Sequence, residues 1–108
     1  MPTEPTGQTI TLRALTEAMH AFVGAKGWYE EGSPRPQTPH NIASSLVIEA
    51  AEVLEHFQWG DGDLDRESLA GELADVALYL LQLASLTGID LQQAILDKLS
   101  ANYERSWD

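Results

Sequence analysis

Two segments of this chain are apolar on almost every side and still carry acids, and few folds accommodate that combination. Ten of the sixteen residues from Ile42 to Phe57 are apolar, as are thirteen of the eighteen from Leu69 to Leu86. In both, the apolar positions run round the helix instead of along one stripe. A helix of that kind has to be surrounded by other protein, and 108 residues supply too few elements to surround two of them. Self-association, to a dimer at least, is the expectation.

The remaining chain divides at clear punctuation. Leu12, Leu15, Met19 and Phe22 share one face of a helix expected over Ile10–Ala25, with Arg13, Glu17 and His20 mostly on the other side and Gly27 closing it. Gly32, Pro34, Pro36 and Pro39 just beyond make Trp28 to Thr38 a loop. Thr38 then caps a second helix with Pro39 at its first position, running to Gln58 or Trp59. Gly60-Asp-Gly-Asp63 breaks the chain, and Asp65 caps a third helix ending near Thr87, before Gly88. Asp90 with Gln93 has the form of a capping box for a fourth, Leu91 to about Glu104. No strand-like alternation and no repeat occurs. The expected fold is all-α: a four-helix bundle over residues 9–108, completed by oligomerisation and preceded by a flexible arm at residues 1–8.

Charge narrows the partners. Six Lys and Arg against 17 Asp and Glu give a net charge of -11, which argues against duplex nucleic acid and anionic membrane. A phosphorylated small molecule remains possible if divalent cations stand between the acids and the phosphates. The absence of cysteine removes disulfides, thiolate chemistry and zinc held on sulfur. The polar, proline-broken beginning is no signal peptide, no apolar run approaches membrane-spanning length, and the cytoplasm is the expected compartment.

Glu49-Ala-Ala-Glu52 lies in the second helix and Glu72-Leu-Ala-Asp75 in the third, with 19 residues between the pairs. Spacing of three puts both acids of a pair on one helix face. Folded as an antiparallel hairpin, the two helices bring the pairs face to face. Four carboxylates gathered among aliphatic neighbours repel, and burial raises their pKa values unless a cation compensates them. A hard divalent ion such as Mg²⁺ suits oxygen ligands. Two readings stand on these grounds alone: a metal site, or two solvated stripes.

The stretch from Leu46-Val-Ile-Glu-Ala-Ala-Glu-Val-Leu-Glu-His-Phe-Gln-Trp59 to Gly71-Glu-Leu-Ala-Asp-Val-Ala-Leu-Tyr-Leu80 resembles the MazG-like branch of the all-α nucleoside triphosphate pyrophosphohydrolases, a branch that includes the dCTP pyrophosphatases. Gly88-Ile-Asp-Leu91 and Lys98-x-x-x-Asn102 also match, so the similarity covers roughly residues 38–105. The resemblance implies cleavage between the α and β phosphates of a (deoxy)nucleoside triphosphate, in nucleotide-pool sanitation or balance. It implies Mg²⁺, with Mn²⁺ as a possible substitute, held by Glu49, Glu72, Asp75 and Glu52, with Glu49 and Glu52 as catalytic acids and Glu52 as the guess for the base. It also implies dimers or tetramers with sites between subunits.

By the same resemblance Lys98 contacts phosphate and Asn102 contacts sugar or base, although an exposed lysine and a polar helical residue need no role. Tyr79 is either a nucleotide contact or a core aromatic with its hydroxyl in water. Trp59 stacks on a base or packs at an interface, and Trp28 closes over the base from its loop. Arg105 keeps the charge where relatives end in Lys-Tyr-Pro, and Gln37 stands where many relatives have His. Two other functions compete: a phosphoribosyl-ATP pyrophosphohydrolase-like enzyme, and a non-catalytic helical module that binds nucleotide or metal.

Overall fold

A computed structural model describes residues 9–107, and all the regular structure in them is helical: α1 (Leu12–Ala25), α2 (Pro39–Glu55), α3 (Arg66–Leu86) and α4 (Leu91–Glu104). The arm expected at residues 1–8 lies outside the described residues. Each helix starts on a side chain that accepts from a free amide of its first turn. Thr11 accepts from Ala14 N–H at 3.0 Å, Thr38 from Asn41 at 3.2 Å, Asp65 from Ser68 at 3.1 Å and Asp90 from Gln93 at 3.1 Å. Because Thr11 takes the cap, α1 begins two residues after Ile10. Only half of the capping box forms, since the Gln93 side chain donates to Asp97 at 2.8 Å.

The second helix is shorter than expected. It stops at Glu55, and the chain tightens into turns in which Phe57 N–H bonds Leu54 C=O at 2.9 Å and Gly60 N–H bonds Phe57 C=O at 3.0 Å. Trp59 therefore sits beyond α2. At the end of α3, Gly88 takes φ +72°, and Ile89 N–H reaches back to Ala84 C=O at 2.8 Å. Only a residue without a Cβ adopts that backbone cheaply.

The hairpin of α2 and α3 is antiparallel: Glu49 lies beside Glu72, and Gln37, just before α2, reaches Gln82 near the end of α3. Helix α1 crosses the C-terminal half of α3, where His20 bonds Ser85. Of the buried apolar side chains, Met19 and Val23 lie on α1, Leu81 and Ala84 on α3, and Ile42 on α2. Elsewhere the aliphatic surface is open. Val47 is 67% exposed, Leu54 71% and Leu73 51%, and no residue of α4 is buried.

One expectation needs correcting. The 21 residues of α3, with a best-window mean hydropathy of 1.4, are long and apolar enough to cross a membrane by length and composition. Glu72, Asp75 and Gln82 lie within that helix and pack toward α2 and the loop before it. Lipid would strip such groups of solvent at large cost. The physics favours a core helix whose cover is incomplete in one chain.

Candidate active site

The hairpin turns the two sequence pairs into one cluster. Carboxylate oxygens of Glu49, Glu72 and Asp75 lie within 4.8 Å of one another. Glu52 stands one turn from Glu49 and is hydrogen-bonded to it, outside that trio. Among the described residues, every charge that acts on the Glu49 carboxyl is another acid, Glu52 or Asp75. The Glu49 carboxyl is pushed up from 4.5 to about 7, first by its hydrogen bond with Glu52, then by burial and a hydrogen bond with Glu72, with the charges of Glu52 and Asp75 adding. A carboxyl near 7 holds a proton because its neighbours disfavour one more charge. The Glu72 Oε2 atom is buried and has no hydrogen-bond partner. Such an orphan is costly, and a hard cation with oxygen ligands is the group these acids fit.

Beside the cluster opens a cavity of about 900 Å³, between α1, the 28–38 loop and the hairpin. Asp75 reaches both. Tyr79 and Gln82 follow Asp75 at i+4 and i+7, and all three line the cavity. Trp28 lines it from the loop, edge-on to Phe22 at 5.8 Å, with the Arg35 guanidinium 5.4 Å above its ring. Asn41 and Ser45 contribute polar atoms from α2.

The far end of the cavity is a closed hydrogen-bond chain. Gln37 donates to Arg35 C=O at 2.7 Å, and Gln82 donates to Gln37 Oε1 at 2.8 Å and to the Tyr29 hydroxyl at 3.3 Å. Tyr29 bonds His20 Nδ1, and His20 Nε2 bonds Ser85 at 2.7 Å. Burial raises the Tyr29 hydroxyl above its usual range, and the Gln82 amide pulls it partly back. These bonds hold down a loop that its prolines alone leave shapeless. His20, read from spacing as an outward residue, is half-buried in this network because Tyr29 folds back over α1.

Of the residues singled out from the sequence, the structure brings together Glu49, Glu72, Asp75, Tyr79 and Trp28, with Glu52 attached through Glu49. Lys98 stands exposed on α4, Arg105 stacks on Trp107 at 4.0 Å, and Trp59 is 92% exposed. Asn102 is half-buried, its Oδ1 buried and without a partner. None of these four lines the cavity of the same chain. Gln82 was missed, although its spacing of seven from Asp75 already put it on the acid face.

Residues 44–107 match the MazG-like family. The dCTP pyrophosphatase 1 of Homo sapiens is 35% identical over 104 residues, covering 88% of this chain and 58% of that protein. The Mus musculus dCTP pyrophosphatase 1 is 33% identical over the same shares. The chain thus spans less than two thirds of the length of these relatives. The crystal structure of a pyrophosphatase from Archaeoglobus fulgidus is similar with a TM-score of 0.70 and 29% identity, over 94% of this chain and 96% of that one.

Proposed function

This chain belongs to the MazG-like family, and on that footing we propose that it hydrolyses nucleoside triphosphates to a nucleoside monophosphate and pyrophosphate. One observation carries the reading: oxygens of Glu49, Glu72 and Asp75 converge within 4.8 Å, one acid reaches the cavity, and a buried Glu72 oxygen lacks a partner. Glu49, Glu72 and Asp75 hold Mg²⁺, or Mn²⁺ in its place. When bound, the ion supplies Lewis-acid stabilisation of phosphoryl charge and lets an acidic surface accept a polyanion.

The protein's own part is positioning and proton transfer. A water oxygen bonds to the α-phosphorus, the bond to the α–β bridging oxygen breaks, and its electron pair leaves with pyrophosphate. Glu52, free of the trio and adjacent to Glu49, takes the water's proton. The base enters the 900 Å³ cavity against Trp28, with Tyr79 between base and acids. A deoxynucleotide of the cytoplasmic pool is the proposed substrate, in sanitation or balance of that pool.

A second copy of the chain completes the site. Val47 and Leu54 on α2, Leu73 on α3 and Ile95, Leu96 and Leu99 on α4 expose apolar surface that a monomer leaves in water. Lys98, Asn102, Trp59 and Arg105 then act on the partner's cavity. Sedimentation at micromolar concentration is expected to show a dimer or tetramer, and a monomer overturns this arrangement.

The reaction is tested by incubating the protein with Mg²⁺ and each common and damaged deoxynucleoside triphosphate. Pyrophosphate and the monophosphate are expected in equal amounts. Free phosphate with the diphosphate as the only products overturns the reading.

A further inference from the structure

We infer that Gln82 determines specificity at this site: it presents a fixed carbonyl oxygen to the base, and so favours bases with an exocyclic amino group over those with a carbonyl at the same position. The inference rests on the proposed function. Asp75 and Gln82 lie seven residues apart on one face of α3, about 10 Å of helix rise. That is close to the span from an α-phosphate to the far edge of its base. Gln82 is 2% exposed, the one buried polar residue among the described residues, and it lines the cavity.

The direction of its amide follows from a backbone group that cannot turn round. Arg35 C=O is an acceptor only, so the Gln37 side chain offers it Nε2. Gln37 Oε1 then faces Gln82, which answers with its own Nε2. The second hydrogen of that nitrogen goes to the Tyr29 oxygen. Both Gln82 donors are thus used inside the protein, and Oε1 has no partner among the described residues. An acceptor held in place on a side chain that is only 2% exposed pairs with an amino group. A carbonyl would set two acceptors against each other and leave both unpaired, which costs about tenfold or more in discrimination. The apolar Met19, Val23, Ile42 and Leu78 also line the cavity and grip a base without reading its edge, while the Asn41 amide beside them already donates to Pro36 C=O at 3.0 Å.

The test compares pairs of triphosphates that differ at this position: dCTP with dUTP, and dATP with dITP. Wild type is expected to favour the amino member of each pair about tenfold or more in kcat/KM. Gln82→Leu is expected to bring both ratios within about threefold of one. A merely structural role for Gln82 would instead lower all four substrates by a common factor and keep the ratios. Gln37→Met serves if Gln82→Leu does not fold, because it frees the amide to turn and is expected to reduce the ratios in the same sense. A wild type without preference, or with the carbonyl member favoured, overturns the inference and leaves the reaction standing. So do variants that keep the wild-type ratios. The same four nucleotides are also titrated in Mg²⁺ by quenching of tryptophan fluorescence. Discrimination in binding without turnover would support the base reading and overturn the reaction; equal binding without turnover would overturn both.

Discussion

The two ends of the cavity are built from the same helix and solve opposite problems. At the acid end, α3 contributes Glu72 and Asp75, whose needs the chain does not meet: one oxygen is orphaned and the neighbouring Glu49 is driven to about 7. Two turns on, Gln82 meets Gln37 and Tyr29, and those meet Arg35 and His20, so the donors are consumed in sequence. The first end is left with its charge unmet, and under the proposed function a cation meets it. The second is finished in advance and has one fixed acceptor to offer. The contrast teaches that stability and function are opposed at one end and aligned at the other.

The hardest way to break that contrast is Glu72→Gln. Turnover is expected to fall by about a hundredfold or more, because a neutral amide removes the charge that stabilises the bound ion. The metal-free protein is expected to be as stable as wild type or more so, since a repelling carboxylate is gone. Thermal unfolding separates the two effects. Mg²⁺ at a hundred times its Kd is expected to add about 2.7 kcal/mol to wild type and far less to the variant. A variant that loses stability without Mg²⁺ would mean that Glu72 supports the fold, and the opposition would fail.

The titration of Glu49 sharpens the same point. Its folded pKa of about 7 exceeds the ordinary 4.5, so between those values the folded state holds more protons than the unfolded one. Stability from this group is complete below about pH 4.5 and is lost as pH rises through 7. Unfolding of the metal-free protein followed from pH 5 to 8 is expected to show a decline that Glu49→Gln removes. Mg²⁺ binding at pH 6.5 is expected to release a proton, read by calorimetry in buffers of different ionisation heat. Equal slopes in wild type and variant would place Glu49 outside the coupled group.

What was legible in the sequence follows the same division. The acid end is made of regular helices, and helical spacing is local information: Glu49 and Glu52, then Glu72 and Asp75, declare a shared face from the chain alone. Caps at Thr38, Asp65 and Asp90 were legible for the same reason. The amide end was not. It joins residues 20, 29, 37, 82 and 85 through a loop rich in proline, and no periodicity reports where such a loop folds back. His20 was misplaced because Tyr29, nine residues on, pulls it inward. Trp59 and α4 are a third case. The sequence left Trp59 between stacking on a base and packing at an interface, and within the chain it stays 92% exposed while no residue of α4 is buried.

The smallest expected effect probes the finished end alone. Tyr29→Phe removes one oxygen and leaves a ring that is already 41% exposed. What it strands is His20 Nδ1 and one hydrogen of the buried Gln82 amide. Leaving such groups unpaired costs about 1–2 kcal/mol, read as a lower urea midpoint at constant slope. Tyr103→Phe makes the same chemical change where the side chain is 90% exposed, and is expected to stay within about 0.5 kcal/mol of wild type. The difference between the two variants measures the network and cancels the intrinsic cost of losing a hydroxyl. Should they match, the amides and the imidazole are satisfied by water in solution, and the far end of the cavity has no built-in direction to lend a base.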